Sequence, residues 1–557
     1  MSERFSARLE KVWRAPRVGL NRRDFLAGAG AGLGAGLAAP DIASALLPSQ
    51  RAFLTAEAVD IIHVIAGQSN GFNGIAFNAA LDLTQSNFFQ AYFGHEGPAN
   101  HISPGGSNDP LDNVDPTGIT NDAIGNAVHF YRDWYCPSYG ARRVVFVPCV
   151  YGGTSVVNTT SGEWGVTTAT GGAAIGGLTS GMIARVAQVW KLFPSAKVVM
   201  SFELVEGDSN SATALPASYW CAFRGGYLDW ILYVRAQFAA LGIPSNFPMI
   251  LGRPTPYILT TSDLSDPTSG FNWIPANVLV ADAMLRALIN RMPNIGIADS
   301  QSPTAATNQS ASPVHFDAAG QRTMAGRYFT GYKNAVGNAL YPTYPVWDTI
   351  DVMTTAAGFP SGFTVGGGGS TLSGDANSDW KTAFATTPNQ PSSSATAYAE
   401  IVVTAINNGA NVMIGLCNQA FDWDSYLGET VSNPVKADYS SVCYWPYPTT
   451  ARISNGASGT WAFPGSPINC PAVAAGDVLQ FAVNRALGYA WVGLNGTWLG
   501  SGNPATGANP WITGINSWEM VFLAVSIYTG AGNTFSINGK TSQFAYAPPS
   551  GFAAWGI

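Results

Sequence analysis

The sequence predicts two ordered parts in series: an α/β unit built on a parallel sheet over residues 59–340, and an all-β sandwich over residues 361–557. Three observations carry this expectation. At 557 residues the chain exceeds what one hydrophobic core usually serves. Up to about residue 340, short β-branched runs alternate with longer helical patterns, as a parallel sheet with covering helices requires. Beyond Tyr341 the helical period fades, and Gly, Ser and Thr turns separate short alternating runs.

The individual elements follow from the pattern. Residues 61–65, 144–147, 198–202 and 249–251 are nearly continuous apolar stretches, as strands buried on both faces should be. Residues 182–192 and 278–288 carry apolar side chains at helical spacing. A last helix is expected after Asp317, a candidate N-cap, with Met324, Tyr328, Tyr332 and Val336 on one face. In the second part, residues 398–405, 412–417, 478–484, 489–494 and 521–528 read as strands, and Asn495-Gly496 is a strong hairpin signal. Linkers are expected at 46–58 and 341–360.

Composition narrows the function. Hydrophobic residues make up 46% and aromatics 12%, but charged residues only 11%, far below the usual share of about 25%. A net charge of -7 leaves no basic footprint for nucleic acid, and neutral glycans or small polar ligands suit the surface better. The six cysteines, Cys136, Cys149, Cys221, Cys417, Cys443 and Cys470, lack metal-knuckle spacing and are expected as buried thiols, so no metal site is predicted.

The segment 1–45 reads as an address. Asn21-Arg22-Arg23-Asp24-Phe25-Leu26 precedes a weakly hydrophobic Ala/Gly/Leu run and then Ala43-Ser44-Ala45, which resembles a twin-arginine export signal and implies a periplasmic or extracellular protein. The run is Gly-rich and is interrupted by Pro40 and Asp41, so no stable membrane span is expected. The alternative is an ordinary N-terminal arm on a virion component.

Four segments carry the chemistry. Ala66-Gly67-Gln68-Ser69-Asn70-Gly71 delivers Ser69 to the carboxyl edge of the sheet, where α/β enzymes place their sites. The run from Val147 to Ser155 ends a strand in Gly152-Gly153-Thr154, where a backbone N–H can face a ligand unobstructed. Glu206-Gly207-Asp208-Ser209-Asn210 follows the next strand and offers the Asn210 amide as a further donor. Ser312-Pro313-Val314-His315-Phe316-Asp317 sets one of only five histidines just before the closing helix, where a general base belongs.

In this order the four blocks resemble SGNH hydrolases, and most closely the carbohydrate-esterase and sialate O-acetylesterase branch, whose first block reads GQSN. The resemblance covers about residues 59–340. It implies a flavodoxin-like three-layer fold, Ser69 as nucleophile, His315 as base, and an oxyanion hole from the Ser69 backbone, Gly153 and the third block, whose polar donor is Asn210 or else Glu206 or one of its neighbours. Gln68, Asn70, Thr154 and Glu206 are candidate substrate contacts; Trp164 is either a sugar-stacking platform or core. The third block departs from the usual QGESD, reading EGDSN. At the base, Ser312 stands where the family has Asp, and in serine triads an amide in place of that Asp costs about four orders of magnitude in rate. Asp299, Asp317, Ser312 or a main-chain carbonyl is left to orient the imidazole.

The reaction implied is removal of O-acetyl groups from carbohydrate, with no cofactor. His63, inside a buried strand, is expected as a satisfied core histidine, and His95, His101 and His129 as loop or packing residues. Gly476-Asp477-Val478 and the Asn495-Gly496 turn, with the ending Phe544-Ala545-Tyr546-Ala547-Pro548-Pro549, resemble the SPRY (B30.2-like) family over about residues 345–557. That implies a non-catalytic sandwich binding a surface polysaccharide or protein. The alternative is a phage-tail or cell-surface receptor-binding protein that keeps the esterase fold with little or no activity.

Overall fold

The computed structural model describes residues 59–67, 88–90, 126–140, 143–150, 154–159, 163–167, 174–203, 215, 217–260, 264–266, 271–273, 275–308 and 314–338 of the first part. Of the second it describes 344–347, 363–375, 380–389, 395–407, 411–419, 427, 441–445, 450–454, 471–518, 520–528 and 532–556.

The first part is α/β. Its strands are β1 (Ile61–Gly67), β2 (Phe88–Gln90), β3 (Val144–Val150), β4 (Lys197–Glu203) and β5 (Met249–Gly252), then a small ribbon of β6 (Leu264–Asp266) and β7 (Phe271–Trp273), and β8 (Ile295–Ala298). Six of them form one parallel sheet in the order β2-β3-β1-β4-β5-β8. Leaving aside the short edge strand β2, the five others run second-first-third-fourth-fifth, the doubly wound arrangement with a switch point between β1 and β4. Strand β8 escaped the sequence reading because its four residues include Gly296 and carry no β-branched run.

Helical segments cover both faces. They are α1 (Asn126–His129, continued by Phe130–Tyr135 as π-helix and Cys136–Tyr139), α2 (Gly177–Leu192), α3 (Ala217–Ala240), α4 (Pro256–Thr260), α5 (Pro275–Arg291) and α6 (Ala318–Gly337). The alternation of side chains along each strand sorts the core into two layers. Ile61, Ile65, Val144, Phe146, Val199 and Ile250 pack with α1 and α6, while Ile62, Val64, Val145, Val147, Met200 and Met249 pack with α2, α3 and α5. Helix α6 begins where expected, with the Asp317 carboxylate accepting from Gly320 N at 2.7 Å. Its apolar face ends sooner than the spacing suggests: Met324, Tyr328 and Tyr332 are buried, but Val336 is 52% exposed.

The second part is an antiparallel sandwich. One sheet gathers β9 (Phe363–Gly366), β10 (Thr371–Gly374), β12 (Thr396–Ala405), β16 (Val478–Asn484), β17 (Tyr489–Leu494), β18 (Thr497–Trp498), β19 (Ile512–Thr513), β21 (Thr534–Asn538) and β22 (Ala553–Ala554). The other runs β11 (Lys381–Phe384), β20 (Phe522–Ile527), β13 (Val412–Cys417), β14 (Ser441–Trp445), β15 (Thr450–Ser454). The Asn495-Gly496 turn has φ of 48° and 82°, the doubly left-handed pair that a two-residue hairpin demands, and joins β17 to β18. Trp347, inside the expected linker, is already buried in the sandwich core, where its backbone N–H bonds Gly369 O at 2.7 Å.

Of the five-stranded sheet, β11, β13, β14 and β20 are buried on both faces. Ile414, Leu416, Leu523 and Val525 point into the sandwich, whereas Met413, Cys417, Cys443, Phe522 and Ala524 belong to the same apolar cluster as α3. This explains α3 itself, whose residues Phe223 to Ile231 are all buried, Arg224 and Asp229 included: the helix is enclosed on every side. The sequence reading expected a separate sandwich; the packing instead runs one core through the junction. Cys136, Cys149, Cys417 and Cys443 are free buried thiols, as expected, and burial pushes the Cys149 thiol up to about 11.

Candidate functional site

The carboxyl ends of β3, β1 and β4 lie side by side, and the first three sequence blocks leave the sheet there. Ala66 pairs with Cys149 on one side and with Phe202 on the other, so the chain exits toward Ser69, toward Gly153 and toward Glu206 from one edge. Ser69, Gln68, Asn70, Gly153, Glu206, Asn210 and Ser312 themselves lie outside the described residues.

His315 is half-buried immediately before α6. Its neighbours alternate into two different cores: Val314 packs with Ile258, Leu259 and Val278, and Phe316 packs beneath α6 with Ala298, Ala306 and Met324. The imidazole is thus carried on backbone anchored from both sides. Asp317 accepts from Gly320 N and from the Thr307 hydroxyl, so it caps α6. Asp299 is tied into an ion-pair group at the ends of β5 and β8, where Arg253 holds it at 2.5 Å while gripping Asp282 through two further nitrogens, each at 2.7 Å. The described hydrogen bonds of both candidate orienting carboxylates therefore serve other partners.

The second block is fixed by a chain of buried polar contacts. Trp164 Nε1 donates to Thr154 Oγ1 at 2.9 Å, Thr179 donates to the Trp164 carbonyl, and Trp230 Nε1 donates to Thr179 Oγ1 at 2.8 Å. Ser155 Oγ accepts from the backbones of Val157 and Asn158, both at 3.1 Å, closing a tight turn, and its own N–H donates to Glu163. Burial raises the Glu163 carboxyl above its ordinary range, with that N–H pulling the other way. Trp164 is fully buried, edge-on to Phe202 and Trp230, so it offers no face to a sugar; of the two alternatives the structure shows the core one. Thr154 is buried and bonded to Trp164.

Of the other histidines, His63 is the satisfied core residue expected, bonded to Tyr131 OH at 2.8 Å and to Ser201 Oγ at 2.9 Å, and burial lowers its pKa to about 3. His129 is buried on α1 with Asp133 at 2.7 Å. His95 and His101 lie outside the described residues.

The sequence reading missed a buried polar cluster beneath this edge. Glu203, the last residue of β4, accepts from Tyr328 OH and from Asn126 Nδ2 at 3.2 Å, and Asn126 also reaches Gln321 Oε1 at 3.3 Å. A carboxylate closing the buried run of a central strand was the available signal, since buried carboxylates need a reason. Among the described residues, a cavity of about 440 Å³ opens at the opposite, amino edge of the sheet, between Trp190, Lys197, Phe247 and Tyr332, remote from these loops.

No family model and no curated protein matches the chain. Solved structures of similar fold include NanS, 14% identical with a TM-score of 0.36, covering 50% of this chain and 98% of NanS. A carbohydrate acetylesterase from Xanthomonas citri is 14% identical with a TM-score of 0.32, covering 63% of this chain and 66% of its own. A human SPRY domain is 18% identical with a TM-score of 0.22, covering 32% of this chain and 94% of its own. At scores this low the likenesses carry no argument about chemistry, which has to be read from the chain's own residues.

Proposed function

We propose that the chain is a serine esterase that removes O-acetyl groups from carbohydrate, with Ser69 as nucleophile and His315 as base, and that its sandwich docks on a glycan or surface partner. One observation carries the reading: three adjacent central strands end at one edge, each leading into one of the first three blocks, while His315 sits on a doubly anchored turn before α6. In this reading His315 takes the Ser69 proton as the hydroxyl attacks the acetyl carbonyl, then returns it to the departing sugar alkoxide. Water releases acetate in a second cycle. Gly153 and Asn210 serve as oxyanion donors beside the Ser69 N–H, each worth about 10² to 10³ in rate. Export by the twin-arginine route belongs to the same proposal, because a chain folded before export does not depend on disulfides.

The test is acetate release from acetylated glycans or 4-nitrophenyl acetate. Activity abolished by Ser69→Ala, together with a serine-directed phosphonate adduct at Ser69, supports the reading. A second reading, a surface-binding protein without turnover, is favoured by one observation: Ser312 replaces the orienting Asp, while Asp299 and Asp317 are bonded elsewhere. Glycan binding undiminished by Ser69→Ala, with no hydrolysis by the wild type, selects it.

A further inference from the structure

We propose that Glu203, with Tyr328, Asn126 and Gln321, forms a positioning cluster for this site, a carboxyl–phenol latch that fixes the strand edge at Gly67, two residues before Ser69, against the helix that follows His315. The proposal rests on the esterase reading. Glu203 ends β4 directly beside Gly67, whose φ is 105°; a Cβ there would lie 2.6 Å from Glu203 N. Gly67 is two residues before Ser69. On the other side, Tyr328 and Gln321 belong to α6, and the Asp317 cap of α6 is two residues after His315. The phenol and the Asn126 amide converge on the same carboxyl oxygen, so one side chain bonds both covering helices on this face of the sheet.

Space for the pair is reserved. Gly252 sits opposite Glu203 in the register of β4 and β5, and a Cβ at that position would overlap both the Tyr328 hydroxyl and the Glu203 carboxyl. Glu203, Asn126, Gln321 and Tyr328 are all buried, and among the described residues no cation pairs with Glu203. A plain fold staple is served as well by apolar side chains of similar volume, because burying ionisable groups is costly. A polar cluster at the strand edge, next to the nucleophile turn, is where such a cost returns something in geometry.

Burial pushes the Glu203 carboxyl up to about 7, against the opposing hydrogen bonds from Tyr328 and Asn126, so it is protonated in mild acid and ionises through the neutral range. Tyr328 is the titratable group facing it from α6, burial raising its pKa well above its ordinary value; Asn126 faces it from α1, while β1 and β5 present only Gly67 and Gly252. Ionisation of Glu203 leaves a buried charge answered by two neutral donors, and the cost of burying that charge falls on the packing of the strand edge.

Hydrolysis of 4-nitrophenyl acetate by the full chain, followed from about pH 5 to about pH 9, tests this. Glu203→Gln mimics the neutral carboxyl. It is expected to match wild-type kcat near pH 6 and to keep it above pH 8, where the wild type declines. Glu203→Ala and Tyr328→Phe are expected to lower kcat about tenfold with KM unchanged. Superimposable profiles for wild type and Glu203→Gln, or unchanged kcat in both truncations, overturn the proposal. If Glu203→Ala does not fold, Tyr328→Phe, which keeps the ring packed, decides alone.

Wild-type activity that survives Ser69→Ala, or no activity at all, is instead a failure of the esterase reading. The latch is then judged by the His315 imidazole C–H resonance in histidine-labelled protein, assigned by its loss in His315→Asn. It is expected to move in Tyr328→Phe and to stay in Glu203→Gln near pH 6. A resonance unmoved by Tyr328→Phe overturns the latch.

Discussion

Gln419, just past β13 in the sandwich, donates its side-chain amide to the Asp229 carboxylate on α3 at 2.9 Å, with both residues almost wholly buried. Arg224, one turn earlier on α3, lies 4.4 Å over the Phe384 ring and reaches the Gln419 carbonyl at 3.4 Å. These polar contacts are set inside an apolar cluster that includes Trp220, Phe223 and Tyr227 from the helix and Met413, Met520 and Phe522 from the sandwich. The two parts are thus joined by a packed seam rather than a tether.

A shared core makes the two parts unfold together. A single calorimetric transition is expected for the full chain, and Gln419→Leu, which takes one donor from a buried carboxylate, is expected to cost about 1–3 kcal/mol across that whole transition. Residues 1–340 expressed alone expose the face of α3 that the sandwich covers and are expected to aggregate. Two well-separated transitions, or a soluble monodisperse fragment, would show that the seam is not a common core.

Two fully buried groups contribute to the dependence of stability on pH with opposite signs. His63 has its folded pKa depressed to about 3 from 6.5, so the unfolded chain binds the extra proton and stability is lost as pH falls below about 6.5. Glu203 has its folded pKa raised to about 7 from 4.5, so the folded chain holds the extra proton and stability is lost as pH rises from about 4.5 to about 7. Between about 4.5 and 6.5 the two slopes, each about 1.4 kcal/mol per pH unit, cancel. A stability plateau is expected there. Denaturant titration of Glu203→Gln should remove the decline above the plateau, and in that variant stability should rise with pH up to about 6.5; an unchanged curve sinks the assignment.

The sheet, the closing helix and the strands of 398–405, 412–417, 478–484 and 489–494 were legible because burial on both faces or strict alternation writes itself into local sequence. The order of the blocks also located the edge at which β1, β3 and β4 end. Less visible was anything decided by distant packing. The fate of Trp164 depends on Phe202 and Trp230, far along the chain, and the same tryptophan beside a glycine turn reads equally well as a sugar platform. The Glu203 latch needs Tyr328, separated from it by 125 residues, before a lone glutamate acquires a meaning. Met413 and Phe522 pack in one cluster with α3, a partner far away along the chain that strand alternation alone does not reveal.

Asp317 separates capping from orientation. Its carboxylate accepts from Gly320 N and the Thr307 hydroxyl, which makes it the N-cap of α6. Asp317→Asn preserves an N-cap of equal preference, so stability is expected to change little, whereas Asp317→Ala should cost about 1 kcal/mol. Activity should follow the same order, with Asn close to wild type. A fall of several orders of magnitude in kcat for Asp317→Asn at unchanged stability would mean that this carboxylate orients His315 after all.

The last prediction concerns position 312. In serine triads the acidic partner holds the imidazole in the tautomer that leaves one nitrogen free to accept the nucleophile's proton, and exchanging it for an amide lowers the rate by about 10⁴. A hydroxyl in that place supplies an acceptor without the charge that stabilises the imidazolium. Asp299 is committed to Arg253 and Asp317 to the start of α6, so neither carboxylate has its described bonds directed to the base. Ser312→Asp is therefore expected to raise kcat by at least about tenfold on 4-nitrophenyl acetate, with KM unchanged, because the added charge acts on the transition state and not on substrate binding. The gain should vanish in Ser312→Asn, which has the shape without the charge. Equal kcat in wild type and Ser312→Asp would mean that another acceptor already holds His315, and a main-chain carbonyl would then be the first place to look.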